Sequence, residues 1–227
     1  MEFVGVKEGV VQYLRAHIII GELIPCQKLN EIELSSRLGI SRGPLREAFR
    51  LLENEHLVAS IPRKGCYVTE VSMGACRELF EAREMIECFA VDLLKERGIR
   101  DLPAVAEALE ASADLPTPSD SDPYDKFEYL RAIADFHIKL IESAANSLLN
   151  HFFRTIFSSL ARYQSMYVYV PGLMNTSQEE HKEILTLIKE GDYAQAKRAL
   201  SLHIHKFIAF IEEKIGMHER AGDISLK

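Results

Sequence analysis

Apolar side chains recur at intervals of three and four residues through most of the chain, which is the spacing that predicts amphipathic α-helices. Near the start, the pattern predicts a helix over residues 6–20 that ends at Gly21. It also predicts a short helix over residues 30–38, with Asn30 as its N-cap and Gly39 as its stop signal. The chain therefore begins with two helices joined by a turn.

A third helix and a hairpin are expected next. The helix begins after Ser41, and Pro44 is compatible with it because a proline in the first helical turn removes no intrahelical hydrogen bond. Two short runs rich in β-branched residues, at 57–60 and 66–70, are joined by residues 61–65, which are typical of a turn. Three helices followed by a hairpin predict a winged helix-turn-helix.

From residue 72 onward the pattern is helical, with no convincing strand. The predicted helices cover residues 74–97, 102–112, 124–145, 147–167, 176–190 and 192–215. A run rich in Pro, Ser and Asp at 114–123 predicts a loop, and a further break is expected at residues 170–172. Six helices with apolar faces predict an antiparallel helical bundle.

The predicted fold class is therefore mainly α, with an N-terminal winged helix-turn-helix and a C-terminal all-α antiparallel bundle. The corresponding domains are residues 1–71 for the DNA-binding head and 72–216 for the bundle, with a frayed tail at 217–227. No apolar stretch approaches the roughly 20 residues that a membrane span needs, and the N-terminus lacks a secretory signal. We expect a cytoplasmic protein without a membrane partner.

Charge is distributed unevenly between the two predicted domains. The whole chain has a formal net charge of −7, with 27 Lys and Arg against 34 Asp and Glu. The acidity belongs to the bundle, because basic and acidic residues balance up to residue 72. Within the neutral part, cations gather on the third helix and at the hairpin tip, which indicates a surface that reads a polyanion.

Both domains resemble a known family. The run LNEIELSSRLGISRGPLREAFRLLENEHLVASIPRKGCYVTEV is similar to the reading head of GntR-family bacterial transcriptional regulators, although His56 stands where the family usually has Gly. The bundle resembles the FCD ligand-binding domain of the FadR-like branch, through Phe80–Arg83 with Glu87, Asp135–His137, Glu180-His181 and Gly191-Asp192 with His203. The resemblance implies a ligand-responsive regulator, expected to be a repressor, that binds a palindromic operator in double-stranded DNA as a homodimer.

The resemblance and the chemistry of arginine together suggest which residues contact DNA. An Arg side chain can donate two parallel hydrogen bonds to guanine, and the start of a recognition helix faces the major groove. The candidates are Arg42 and Arg46 for bases, Ser41 and Gly43 for phosphate, and Arg63, Lys64 and Gly65 for the wing. Arg50 lies further along the helix and is compatible either with DNA contact or with an ion pair to Glu47 or Glu53.

Three histidines fall where FCD domains place ligands for a divalent metal: His137, His181 and His203. In metal-binding members an Asp lies four residues before the first His, and here that position is Ile133. Asp135 cannot easily replace it, because a residue two positions before His137 points to the opposite side of a helix. Three imidazoles still suit Zn²⁺ or Ni²⁺. An unmetallated polar pocket is the other interpretation.

Candidate effector-binding residues are Arg83, Arg162 and Asn146. Arg83 lies beside the apolar stripe of its helix, where its guanidinium could bind a small carboxylate, or could instead pair with Glu87 one turn away. A different class of function, a metal-dependent enzyme in a helical bundle, is the alternative. It lacks support because no general base stands at a convincing spacing from the three histidines.

Overall fold

The computed structural model describes residues 5–113, 115–116, 118, 122–166 and 173–221. Within these ranges the helices are α1 (Val6–Ile20), α2 (Glu31–Leu38), α3 (Arg42–Asn54), α4 (Met73–Glu96), α5 (Pro103–Ala113), α6 (Pro123–Ile133), α7 (Asp135–Ser143), α8 (Ser147–Gln164), α9 (Leu173–Glu190) and α10 (Tyr193–Ala221). The strands are β1 (Lys28–Leu29), β2 (Val58–Ile61) and β3 (Gly65–Val68). The predicted fold class, mainly α with an N-terminal winged helix-turn-helix and a C-terminal helical domain, is confirmed. The predicted loop at 114–123 falls partly, and the break at 170–172 wholly, outside the described residues.

The residues that bound α1 and α2 act as the sequence predicts. Gly21 closes α1 in the left-handed conformation with φ of 87°, where a Cβ would be unfavourable. The side chain of Asn30 caps α2 by accepting hydrogen bonds from the backbone N–H groups of Ile32 and Glu33. These two local signals set the helices that position α3.

The expectation that Ser41 caps α3 is only partly correct. Ser41 occupies the N-cap position, but its side chain makes no capping hydrogen bond. An N-cap side chain bonds to the N–H of the second or third helical residue; here the third residue, Pro44, has no N–H, which leaves only the N–H of Gly43 as a possible donor. The Ser41 hydroxyl consequently remains exposed at the start of the helix.

A small antiparallel sheet forms the wing, with strand order β1-β3-β2. The hairpin of β2 and β3 pairs Val58 with Val68 and Ile61 with Gly65. The two-residue strand β1 was not predicted, because its pairing with β3 is made across almost forty residues of sequence and leaves no local pattern. It fixes the wing against the turn that precedes α2.

One helix of the predicted bundle is divided in two. Residues 124–145 were expected to form one helix, but the chain turns at Ala134 between α6 and α7. The two halves pack in different places: Phe127 and Leu130 of α6 belong to the hydrophobic core of the head, whereas Phe136 and Leu140 of α7 belong to the core of the bundle. The prediction was wrong because tertiary packing, and not a Pro or Gly, causes the turn.

The C-terminal helix is longer than expected. α10 continues to Ala221, into the segment 217–227 that the sequence predicted to be frayed, and residues 222–227 lie outside the described part. The segment is rich in good helix formers and contains no proline, which favours continuation of the helix. Among the described residues, no helix is long and apolar enough to cross a membrane.

Polar contacts from α8 hold the head against the bundle. Ser158 donates to the Glu55 carboxylate at 2.6 Å, and Ser159 donates to the Glu55 backbone carbonyl at 2.7 Å. Arg15 of α1 forms a partly buried ion pair with the same carboxylate, with Nη2 and Oε1 2.5 Å apart. Glu55, at the end of α3, is therefore bonded both to the head and to the bundle.

Candidate DNA-binding surface and histidine site

The recognition helix α3 has one buried and one exposed face. The buried face consists of Leu45, Ala48, Phe49 and Leu52, which belong to the core of the head. The exposed face carries the three arginines of the sequence prediction, Arg42, Arg46 and Arg50. Because arginine recurs every fourth residue, all three lie along one side of the helix.

Two of these arginines have acidic neighbours on the surface. Arg46 Nε lies 3.0 Å from Glu31 Oε2, and Arg50 Nη1 lies 2.9 Å from Glu47 Oε1. Both pairs are solvent-exposed, and such pairs contribute only about 0–1 kcal/mol to stability. A DNA phosphate or base edge can therefore replace the carboxylate at small cost. The Arg50 pair is the one that the sequence offered as an alternative to DNA contact.

The wing tip presents its candidate residues outward. Arg63, Lys64 and Gly65 are all exposed, and Lys64 donates its backbone N–H to the Ile61 carbonyl at 3.0 Å. Arg63 and Gly65 have φ of 65° and 111°. The second value is one that only glycine adopts readily, so Gly65 is needed for the turn that exposes the two cations.

The three predicted histidines come together inside the helical domain. His137 of α7, His181 of α9 and His203 of α10 place their Nε2 atoms close together, with 3.1 Å between the first two and 3.3 Å between the last two. His137 and His181 are buried, and His203 is partly buried. The sequence prediction that they share one site is therefore consistent with the geometry.

Two carboxylates orient two of the imidazoles. Glu87 Oε2 lies 2.7 Å from Nδ1 of His137, and Glu180 Oε2 lies 2.7 Å from Nδ1 of His203. A carboxylate holds the proton on Nδ1, which leaves the Nε2 lone pair directed toward the centre of the cluster. Glu87 also accepts a hydrogen bond from Arg83 Nε at 2.5 Å, within a fully buried ion pair.

Electrostatics keep the two buried histidines neutral. Burial lowers the pKa of His137 to about 4, and the Arg83 guanidinium acts in the same direction. Burial also lowers the pKa of His181 well below its usual value. Burial alone would raise the pKa of Glu87, but the charges and hydrogen bonds of Arg83 and His137 together outweigh burial and lower that pKa to about 2. At neutral pH His137 and His181 are thus neutral imidazoles, the form that binds metals.

The donor set fits a divalent ion. Two nitrogens bound to Zn²⁺ at about 2.0–2.1 Å in tetrahedral geometry lie roughly 3.3 Å apart, close to the Nε2 separations found here. Two Nε2 atoms that both present lone pairs cannot hydrogen-bond to each other, whereas a cation at the centre would accept both lone pairs. Nδ1 of His181 is buried and has no hydrogen-bond partner among the described residues.

The cavity beside the histidines is small. Its volume is about 40 Å³, which accommodates one or two water molecules. Ile133 lines it, at the position where the family places an Asp ligand, and adds an apolar wall. Asp135 lines a different cleft, between the head and α7, as its position on the helix predicts. Arg83 lines the histidine cavity, and its Nη2 is buried without a partner among the described residues.

The other two candidate effector residues, Asn146 and Arg162, lie apart from Arg83 in the structure. Asn146 caps α8, where its side chain accepts hydrogen bonds from the N–H groups of Leu148 and Leu149. Arg162 is buried at the contact between head and bundle, where Nη1 and Nη2 donate to the Oγ1 and carbonyl oxygen of Thr69, both at 2.9 Å. Asn146 resembled a site residue because a helix cap and a ligand-binding Asn are indistinguishable in sequence.

The carboxylates that orient the histidines were missed as site residues. Glu87 and Glu180 were recognised only as positions of resemblance, or as a helical partner of Arg83. Their contacts join residues 50 and 23 positions apart. The sequence did contain one signal for them, an acidic residue at a position expected to face the bundle interior. Because a buried carboxylate needs a polar partner, such a residue indicates a polar site.

A head with an exposed cationic recognition helix and a wing, joined to a helical domain with a buried polar centre, defines a DNA-binding regulator with a sensor domain. Comparison with known families divides the chain into the same two domains. The family of bacterial regulatory proteins, gntR family, matches residues 6–68, and the FCD domain matches residues 78–206. The chain belongs to the gntR family of transcriptional regulators and carries an FCD domain.

Individual relatives support this assignment. The chain is 26% identical to an uncharacterized HTH-type transcriptional regulator, BphR, of Paraburkholderia xenovorans, over 91% of this chain and 85% of the relative. It is also 26% identical to the HTH-type transcriptional repressor GlaR of Escherichia coli, over 89% and 94% respectively. The chain is thus a transcriptional regulator with an effector-binding domain and not an enzyme, so the metal-dependent enzyme considered as an alternative is wrong.

Solved structures share the fold. A putative GntR transcriptional regulator from Rhodococcus sp. RHA1 superposes with a TM-score of 0.71 at 23% identity, covering 90% of this chain and 96% of the other. McbR/YncC of E. coli superposes with a TM-score of 0.71 at 21% identity, covering 94% and 100%. At these identities the likeness concerns the arrangement of both domains and not their ligands.

Proposed function

We propose that this regulator is a cytoplasmic repressor that binds a palindromic operator as a homodimer. We further propose that its helical domain holds a divalent metal. The observation that carries the proposal is the row of exposed arginines on α3 above a well-packed head core. Repression is supported by the relative GlaR, which is described as a transcriptional repressor and matches this chain along most of its length.

DNA contact follows from the charge and exposure of the head. Arg42 and Arg46 are at the start of α3, where side chains of a recognition helix reach base edges. The uncapped Ser41 hydroxyl and the backbone of Gly43 are exposed beside them and can donate to a phosphate. Arg63, Lys64 and Gly65 of the wing supply further backbone or minor-groove contacts. The acidic bundle is repelled by phosphate, which favours approach by the head alone.

An exposed apolar face on α4 and α8 supports the homodimer. Its largest side chains, Met85, Phe89 and Phe152, have exposed fractions of 68%, 46% and 56%. Between them lies a groove of about 550 Å³ with almost purely apolar walls. Apolar patches of this kind mark protein interfaces. A twofold axis through this face would pair it with its own copy, and the two heads could then read the two halves of a palindrome.

The DNA contacts are tested by exchanging one arginine. We expect Arg46→Ala to weaken operator binding about tenfold or more, because a bidentate contact to a base contributes roughly 1–3 kcal/mol. The operator is first obtained by selection from random duplexes, and affinity is measured by fluorescence anisotropy at fixed salt. Arg198→Ala, at an exposed position on α10, is the matched control and should leave the affinity unchanged. Selection without an enriched palindrome, or equal affinities for the two variants, would contradict the proposal.

The metal would be held by Nε2 of His137, His181 and His203, with water or a small anion in the remaining positions. Its role would be to join α7, α9 and α10 through one ion. Arg83, whose Nη2 is buried without a partner among the described residues, can donate to the oxygen of such a water or anion. The small cavity leaves no room there for an organic effector of several carbon atoms.

Metal binding is tested on the purified protein. We expect about one Zn²⁺ or Ni²⁺ ion per chain by elemental analysis, and a higher melting temperature after metal is added to protein treated with EDTA. His181→Ala should lose the stoichiometric metal and the thermal shift. His151→Ala, at an exposed position on α8, is the control and should retain both. Absence of a metal-dependent thermal shift in the unaltered protein would favour the unmetallated polar pocket.

A further inference from the structure

A candidate ligand site outside the proposed machinery is a cavity between head and bundle. It has a volume of about 360 Å³, against about 40 Å³ beside the histidines. Pockets that hold small organic molecules have volumes of roughly 300–1,000 Å³. The cavity is lined by His56 and Thr69 from the head and by residues of α4 and α8 from the bundle. It is therefore large enough for an organic effector where the histidine cavity is not.

A buried guanidinium lines this cavity without an anionic partner. Arg162 is 6% exposed, and the two hydrogen bonds it donates both go to neutral oxygens of Thr69. These bonds use two of its five N–H groups. Among the described residues it forms no ion pair, and although burial lowers the pKa of Arg162 to about 10, it is still charged at neutral pH. A buried charge without a counter-charge is costly, so the position favours binding of an anion.

The remaining lining residues define what else the ligand carries. Glu70 and Glu78 are exposed members of the lining, so they lie toward solvent, while Arg162 lies inside. Two carboxylates near the opening would repel a simple dicarboxylate and attract an ammonium group. Leu79, Ala82 and Ile156 add an apolar surface. A carboxylate, an ammonium and a small aliphatic group together are the features of an aliphatic amino acid.

We propose that this cavity binds an aliphatic α-amino acid, whose carboxylate pairs with Arg162 and whose ammonium faces Glu70 and Glu78. The planar guanidinium is suited to hold a carboxylate through two parallel hydrogen bonds. The inference goes beyond the proposed function, because neither the DNA contacts nor the histidine site uses this cavity. It assigns the organic effector to the domain contact and leaves the metal in the bundle.

The location gives such a ligand a direct effect on the head. The bound amino acid would contact the head through His56 and Thr69 and the bundle through α4 and α8. Its carboxylate would bind the guanidinium that also donates to Thr69, and the contact between Arg162 and Thr69 fixes the segment that leads from the wing to α4. A ligand shifts a conformational equilibrium when it binds the two arrangements differently, and a ligand between two domains meets that condition.

The ligand class is tested by calorimetric titration of the full-length protein with alanine, valine, leucine and isoleucine. We expect at least one to bind with one site per chain. The matched controls lack either the amino group or the carboxylate; for leucine they are 4-methylpentanoate and 3-methylbutylamine. We expect each analogue to bind at least about tenfold more weakly than the amino acid itself. If another of the four amino acids binds, its corresponding analogues are used. Binding of none of the four amino acids, or equal binding of the des-amino analogue, would overturn the proposal.

Variants locate the site and separate this proposal from the previous one. Glu78→Gln, at an exposed position, should weaken amino acid binding about fivefold or more but leave the des-amino analogue unchanged, whereas Glu81→Gln on the same helix should change neither. Arg162→Gln should abolish binding, and His181→Ala should retain it. Loss with His181→Ala but not with Arg162→Gln would overturn the assignment. Operator binding without amino acid tests the proposed function independently.

Discussion

Replacing Glu87 by leucine is expected to destabilise the protein by about 3–5 kcal/mol, because it leaves the Arg83 guanidinium buried without its counter-charge. Arg83 is 2% exposed and Glu87 is fully buried, so solvent cannot replace the lost partner. The variant also removes the group that holds the Nδ1 proton of His137. Urea unfolding followed by circular dichroism, in the presence of EDTA, measures the free energy of unfolding without a metal contribution.

A double variant distinguishes loss of charge balance from loss of packing. Arg83→Met with Glu87→Leu removes both charges and should recover most of the stability lost by the single variant, since apolar replacements of buried ion pairs are often neutral or stabilising. Glu81→Gln, at an exposed position on the same helix, should change stability by less than about 0.5 kcal/mol. If the double variant were as unstable as Glu87→Leu alone, packing and not the unpaired charge would be the cause.

The pH dependence of this ion pair has a defined sign. Since Arg83 and His137 together lower the pKa of Glu87 from 4.5 to about 2 despite its burial, the folded protein holds the carboxylate in its charged form more strongly than the unfolded chain does. The stabilisation is therefore fully present above about pH 4.5 and is lost as the pH falls toward 2. In Glu87→Leu this part of the acid transition should be absent.

The boundaries that local chemistry determines were predictable from sequence. Gly21 and Asn30 set helix ends through a left-handed residue and a side-chain cap, and both signals are contained within a few residues. The turn at Ala134 was not predictable, because α6 and α7 differ only in what they pack against. The periodic pattern of apolar residues continues through the turn and cannot show that one part faces the head and the other the bundle.

The candidate sites divide in the same way. Residue type and resemblance were sufficient to select the three histidines, but their orienting carboxylates depend on contacts between distant helices. Arg162, a candidate effector residue, is buried in the structure. The sequence could not show which cavity Arg162 lines, because α8 faces the head as well as the bundle interior, and an inward side chain of this helix can reach either of two cavities.

Introducing a charge into the apolar face of α4 and α8 is expected to have the largest effect on DNA binding. We expect Phe152→Glu to convert the protein from a dimer to a monomer and to reduce operator affinity about 100-fold or more. The reason is that two linked binding heads have an affinity roughly 10²–10⁴ times that of a single head. Phe152 is 56% exposed, so the substitution leaves the folded core of the chain intact. Sedimentation velocity gives the oligomeric state, and anisotropy with full and half operators gives the affinities.

Leu202→Glu is the matched control, because Leu202 is 57% exposed but lies on α10 beside a different surface cavity. It should leave both the dimer and the affinity unchanged. The monomeric Phe152→Glu variant should bind a half operator as well as the unaltered protein does, because its recognition helix is intact; only the advantage of the full palindrome should disappear. A Phe152→Glu protein that remains dimeric would show that the twofold axis lies on another face, and the spacing of the two heads would then have to be derived from that face.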